Sequence, residues 1–343
     1  MRNPVLDREL KERLRTRRAT IVITIYLAIL AVILYTLYRS QASSTPDVFG
    51  GPIASQAATV GRTMFETLVL VMLALVLFIV PGLTADALTG ERERQTLVPL
   101  QVTLLRPRAI VTGKLLASLA FVSLLVVATL PMLGISFILG GVSVGQVVKA
   151  VGAVLATGVV VASLSLLCSS LARRTQGAMV LAYGLALFLA IGAPLIYLGQ
   201  CAVDDAGPHP APTILVLNPF VATADAVTPG DQDRIGTTSP LQGMSELVRQ
   251  LEDPSEQMTV RFEQQGGFAA APGIATTVVG GNADVFVNGE VLEDGAPQVV
   301  ASRTGLTRIP FWVRSAAVLG ASSLVGLLIA TRRITTPSDR TTA

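Results

Sequence analysis

ALTGERERQTLVPLQVTLLRPRAIVTGKLLASLAF, residues 87–121, separates two long apolar runs. It crowds Glu91, Arg92, Glu93 and Arg94 together, adds Arg106 and Arg108, and then turns apolar again. Charge is scarce elsewhere. Of 343 residues, 51% are hydrophobic and 14% charged, against roughly 25% charged in soluble domains, and the mean hydropathy is +0.61. The chain reads as a multi-span membrane protein, and the quoted stretch as a border between spans.

Outward from that border, apolar runs long enough to cross a hydrocarbon core as helices lie near 19–38, 65–88, 110–139, 146–171, 177–199 and 311–331. Six spans are expected. Pro131, Gly134, Gly140 and Gly141 leave two readings of the third and fourth: a helix end, or a short re-entrant piece before Lys149. The first 18 residues are too long and too charged for the start of a signal peptide, so the first span is expected to stay as an anchor. With an even number of spans both ends share a side. That side holds 17 of the 26 Lys and Arg, clustered in 1–18, 91–114, at Arg173 and Arg174, and at Arg332, Arg333 and Arg340. The positive-inside rule then makes the termini and the quoted stretch cytoplasmic. The net charge of +3 is a signature of this topology and gives no argument for a nucleic-acid partner.

Residues 1–18 space Val5, Leu6, Leu10 and Leu14 as one face of a helix among basic residues. An amphipathic helix on the cytoplasmic face is expected, the alternative being a solvated basic tail. The segment 200–310 holds 14 of the 23 acidic residues and no spanning run. It reads as an extracytoplasmic α+β insertion. Leu241, Met244, Leu247, Val248 and Leu251 suggest a short helix ending before Pro254, while Met258, Val260 and Phe262 alternate. Asn288-Gly289 separates two alternating runs in DVFVNGEVLE, a hairpin signal. The expected division is 1–18 amphipathic helix, 19–199 five spans, 200–310 insertion, 311–331 sixth span and 332–343 cytoplasmic tail.

Chemistry needs convergent ionisable groups, and the runs nearly lack them. Glu66 and Asp86 fall near opposite ends of the second run and cannot form a dyad; His209 is the sole histidine. No metal site, cofactor or catalytic residue is expected. Gly113-Lys114 is preceded by Arg108 where a phosphate-binding loop has glycine, and followed by Leu115 where it has Ser or Thr. The chain alone is not expected to hydrolyse ATP. Cys168 lies within an apolar run and Cys201 just outside one, so a free buried thiol is expected at 168. Ala178, Ala182, Ala186 and Ala190 recur every fourth position, as do Ser322, Gly326 and Ala330, stripes that let helices approach closely in lipid.

In the quoted stretch itself, Thr89 can cap a helix whose first turn holds Glu91 and Glu93, the charge a helix N-terminus favours. Leu97, Leu100, Leu104 and Leu105 mark an apolar edge, and Pro99 and Pro107 bend or break the run. A short amphipathic helix at about 89–105 is expected; a loop that only reverses the chain is the alternative.

The same residues resemble the signature of ABC-2 type transporter permeases, a span followed by E-R-E-x-x-T-L, a Thr/Pro-containing turn and I-x-x-G-K. Glu91, Arg92, Glu93, Thr96 and Leu97 match the first part, Thr103 and Pro107 the second, and Ile110, Gly113 and Lys114 the third. NPVLDRELKERLRTRR near the start and LNPF at 217–220 are similar to further family segments. The resemblance covers roughly 1–200 and 305–335 and leaves 230–305 aside. Gln95 departs from the frequent glycine of the motif, and Pro99 from its leucine-rich helix.

The resemblance implies an all-α polytopic fold in the cell membrane, with six transmembrane helices and a cytoplasmic coupling helix between the second and third. It implies a non-catalytic permease subunit of an ATP-binding cassette exporter, paired as a homodimer or with a second permease in the lipid bilayer. A separate ABC ATPase subunit would be met by Glu91, Arg92, Glu93, Thr96 and Leu97, with Gly113 and Lys114 setting the chain's re-entry into lipid. A different reading is a membrane-anchored sensor or assembly factor whose insertion binds a ligand. An intramembrane enzyme is disfavoured by the shortage of ionisable groups.

Overall fold

In a computed structural model of the chain, the residues described are 17–42, 53–95, 107–203, 213–228, 241–245, 248, 274–279, 282–287, 290–291 and 310–335. The amphipathic helix expected within 1–18 therefore lies almost wholly outside them. The first helices are α1 (Arg17–Ala42), α2 (Ile53–Thr84), α3 (Asp86–Glu93), α4 (Pro107–Ile138) and α5 (Val144–Leu171). The fifth span is built from α6 (Thr175–Leu187), a π turn (Phe188–Gly192) and α7 (Ala193–Val203). A 3-10 turn (Leu215–Leu217) leads into α8 (Pro219–Val227), and α9 (Phe311–Thr335) closes the bundle.

Six helical stretches are long and apolar enough to cross a membrane: Ala19–Ser40, Ala57–Glu93, Ala109–Ile138, Val144–Leu171, Thr175–Cys201 and Phe311–Arg333. They coincide with the six apolar runs, because in lipid each backbone amide must be satisfied within its own segment.

α5 is the axis of the bundle, packed against α2, α4, α6, α8 and α9. Its small residues allow this. A Cβ added at Gly158 would stand 3.1 Å from Val122 Cγ1 and 3.7 Å from Val76 Cγ1, so the valines of α4 and α2 pack closely onto the bare backbone of α5 there. Around this point Phe65, Leu68 and Met72 of α2, Phe121 and Leu125 of α4 and Val154 and Val161 of α5 form the core. α1 is peripheral, packing against α2 and α4, with Ile21, Ile25, Val32 and Tyr35 exposed. A buried polar tie comes from Tyr26, whose hydroxyl lies 2.8 Å from Thr129 Oγ1 on α4.

The third and fourth spans are joined without a re-entrant piece. Pro131 stays inside α4, and the chain reverses at Gly140 and Gly141, with φ of +89° and +77°. Ser143 then starts α5 through a capping box with Gln146, which satisfies two amides reciprocally.

The bundle is one compact unit that extends to Val248 and resumes at Phe311. Part of the segment expected as an insertion therefore packs with the helices: α8 lies against α5 and α9, residues 241–245 are helical, and Leu241 joins the main core. Arg249–Pro310 is a second unit. Within it Ile274–Val279 (β1), Asn282–Val287 (β2) and Glu290–Val291 (β3) pair antiparallel in that order, with Val287 opposite Glu290. Asn288, Gly289 and the 258–262 alternation fall outside the described residues.

Candidate functional site at the charged helix

The second apolar run does not stop at the charged residues; it carries its helix into them. Beyond Thr84 the hydrogen-bond ladder is interrupted at Ala85, whose backbone stays helical, and continues as α3, which starts at Asp86 and ends at Glu93. Ser169 of α5 fixes the break, because its Oγ accepts from the amides of Leu88 (3.1 Å) and Thr89 (3.2 Å). Those are among the first four amides of α3, which have no partner inside their own helix. The expected Thr89 cap is therefore corrected. Thr89 lies within α3, fully buried, and its hydroxyl donates to Ala85 O at 3.2 Å. Ala87 and Leu88 explain the shift, since they bury against Val111 and Leu166 and draw the helix start upstream.

Glu91 and Glu93 consequently sit in the last turn of α3, where the helix dipole disfavours acids. Tertiary partners offset this. Glu91 Oε1 lies 2.7 Å from Lys114 Nζ of α4, with the lysine side chain only 4% exposed. Glu93 Oε1 accepts from the amide of Thr175 at 2.7 Å, and so caps α6, whose N-cap residue Arg174 makes no side-chain cap of its own. Arg92 donates through Nη1 to Ser170 O (3.4 Å) and Ala172 O (3.3 Å), carbonyls at the end of α5, where a helix offers its last carbonyls no internal partner. The E-R-E triplet thus ties one short helix to α4, to the end of α5 and to the start of α6.

Gly113 and Lys114 lie two turns inside a helix rather than at its start. α4 begins at Pro107, a residue suited to the first helical turn, and Lys114 lies inside that helix, turned toward Glu91. Thr96 and Leu97 lie outside the described residues. The helix expected over 89–105 does not run through 94–95: Arg94 and Gln95 form a turn, with Gln95 at φ +57°. This left-handed position just past a helix end is where glycine fits best, which accounts for the glycine frequent in the family motif. Replacing Gln95 by Gly should raise the thermal midpoint of the purified protein, by up to about 1 kcal/mol of stability. A lowered midpoint would show that the Gln95 side chain contributes more than its backbone costs.

The alanine stripe is observed in part. Ala178, Ala182 and Ala186 are buried, the first two against Ala85 and Cys168, but Ala190 is only half-buried. The π turn shifts the register, so that Leu189, Ala193 and Tyr197 face inward instead. Two polar residues have structural roles that motif reading does not give them, Ser169 and, within the LNPF segment, Asn218. Ser169 leaves no sequence signal; Asn218 does, since Asn-Pro before an apolar run is a helix start. Both cysteines are free, and Cys168 is buried. Among the described residues no cluster of three or more His, Cys, Asp or Glu is placed to hold a metal.

A six-span helical bundle with a short charged helix fastened across the ends of its middle spans defines a multi-pass membrane protein. The chain belongs to the ABC-2 family transporter proteins, whose family model matches residues 4–264. It is a permease of an ABC transporter. The match runs further into the 200–310 segment than the motif resemblance does, and stops short of α9. No curated protein matches the chain.

Proposed function

We propose that this chain is the permease subunit of an exporter powered by a separate ABC ATPase, with α3 and the residues after it as the element that meets the ATPase. The observation that carries this reading is the fastening of α3 to α4, α5 and α6 at once. A force applied to so short a helix reaches three spans together. In this reading Glu91 and Arg92, both partly buried, and Glu93, through its bond to the Thr175 amide, hold the helix, while exposed Arg94, with Thr96 and Leu97, supplies the contact. The positive-inside bias supports a cytoplasmic position for this end and both termini, and an extracytoplasmic one for the acidic segment. The chain itself is non-catalytic, and it pairs with a second permease subunit, identical or not.

Arg94→Glu tests the contact. A charge reversed at a protein interface impairs association, while an exposed position contributes little to the bundle. Permease yield should stay near wild type, while the ATP-binding subunit recovered with it falls on the order of tenfold, a loss of about 1.4 kcal/mol. Normal recovery with normal ATP turnover per complex would remove α3 from the contact. In a background free of cysteine, Arg94→Cys should react with an impermeant maleimide only in inside-out vesicles; reaction from the other side would overturn the orientation.

A further inference from the structure

The fifth span changes helix type in its middle, and its own sequence gives the cause. In an unbroken α-helix the amide of residue 194 would donate to the Ala190 carbonyl, but residue 194 is proline. It has no N–H, and its ring presses on that same carbonyl. The helix widens at this point: Phe188–Gly192 is a π turn in which the Ala193 amide reaches back to Phe188 O. Gly192 suits it, since a Cβ there would stand 2.7 Å from Cδ2 of the Phe188 ring. Pro194 thus deprives the Ala190 carbonyl of its helical donor.

Asn218, from a different segment, supplies one. Its Nδ2 donates to Ala190 O at 2.9 Å, and its Oδ1 accepts from the amides of Phe220 (2.8 Å) and Val221 (3.2 Å). The side chain is 2% exposed, so these bonds form away from water. Leu217, next to it, packs with Leu189 of the π turn, Val160 of α5 and Leu319 of α9. At the far end of α8, Asp225 Oδ2 accepts from the Trp312 amide at 3.0 Å, where α9 begins. One buried amide therefore starts α8 and closes the gap that Pro194 opens in the fifth span.

We infer that Phe188–Gly192 is a hinge in the fifth span and that Asn218 is the positioning residue that latches it. With the latch engaged, the Ala190 carbonyl is satisfied in apolar surroundings, where an unmet one is costly, and α6 and α7 hold a fixed relation. With the latch withdrawn, the two halves of the span move independently, at the place where π turns concentrate function in other helices. The inference rests on the helix geometry and stands whatever α3 contacts.

The test is amide hydrogen exchange on the purified full-length chain, read in peptides covering 188–196. Asn218→Ser is the informative variant: serine is a good helix cap and can still start α8, but it is too short to reach Ala190 and carries no amide. Exchange across 188–193 should accelerate by on the order of tenfold in N218S, while peptides from α5 keep their wild-type rate. Adding Pro194→Ala restores the missing N–H, and the double variant should return to within about twofold of the wild type. Wild-type exchange in N218S would overturn the latch. Acceleration that extends through α5 and persists in the double variant would overturn it too, by showing general loosening of the bundle.

Discussion

Reversing Glu91 to Lys should remove most of the properly folded protein, and so should reversing Lys114 to Glu. The two groups meet at 2.7 Å, with the lysine side chain 4% and the glutamate 26% exposed. Either reversal leaves two like charges facing each other at a site largely closed to water. Breaking a buried pair from one side costs roughly 3–5 kcal/mol, a large share of the roughly 5–15 kcal/mol that separates folded from unfolded domains. The double swap E91K/K114E restores opposite charges and places the cation in the last turn of α3, the end where a helix dipole favours it. Size-exclusion profiles and thermal midpoints of the three variants in detergent measure this. Single variants should be lost or strongly destabilised and the swap largely recovered. A single reversal with a wild-type profile would mean that the pair does not hold α3 to α4, and that the helix is fastened through Arg92 and Glu93.

Gly61→Ala and Gly141→Ala should be the most damaging of the small glycine substitutions. At Gly61 an added Cβ would lie 2.5 Å from Gly140 O and 2.8 Å from Ser136 O, both backbone atoms that can yield only if helices separate. At Gly141 it would strike Ala58 O, with φ at +77° as well. The close approach of α2 to the α4–α5 turn therefore depends on both positions. Alanine is intrinsically better than glycine in a helix by about 1 kcal/mol, so a loss at Gly61 can come only from the contact. At Gly141 the left-handed backbone adds about 1–2 kcal/mol to an overpacking cost of about 1–3 kcal/mol. Gly134→Ala is the control, because nothing lies within 4 Å of its added Cβ; it should leave the thermal midpoint unchanged or raise it. Equal midpoints for all three variants would show that the helices separate without cost.

Much of the architecture is legible in the sequence. The six candidate spans follow from apolar length, since a helix of that length satisfies its own backbone in lipid. The E-R-E stretch marks the family because its residues occur in a set order. The start of α3 was not legible. Thr89 followed by two acids satisfies every local rule for a helix start, yet burial of Ala87 and Leu88 and the reach of Ser169 place that start at Asp86. Ala190 fails the alanine stripe for a related reason: strict fourfold spacing assumes one helix type, and Pro194 changes it.

The sequence by itself determined that this protein has six runs long and apolar enough to cross a membrane, how its cations are distributed among the segments between them, and which family motif it carries. These are properties of runs and order, the runs being set by the free energy of moving side chains between water and lipid, and they need no partner in space. Tertiary structure decided what the charges do. Glu91 could have faced solvent, and Glu93 could have served its own helix; they hold Lys114 and the start of α6 because α4, α5 and α6 bring an ammonium, two open carbonyls and an unpaired amide to the same short helix. Each of those groups is buried or at a helix end, where an unmet hydrogen bond is costly, and the residues that meet them lie far away along the chain.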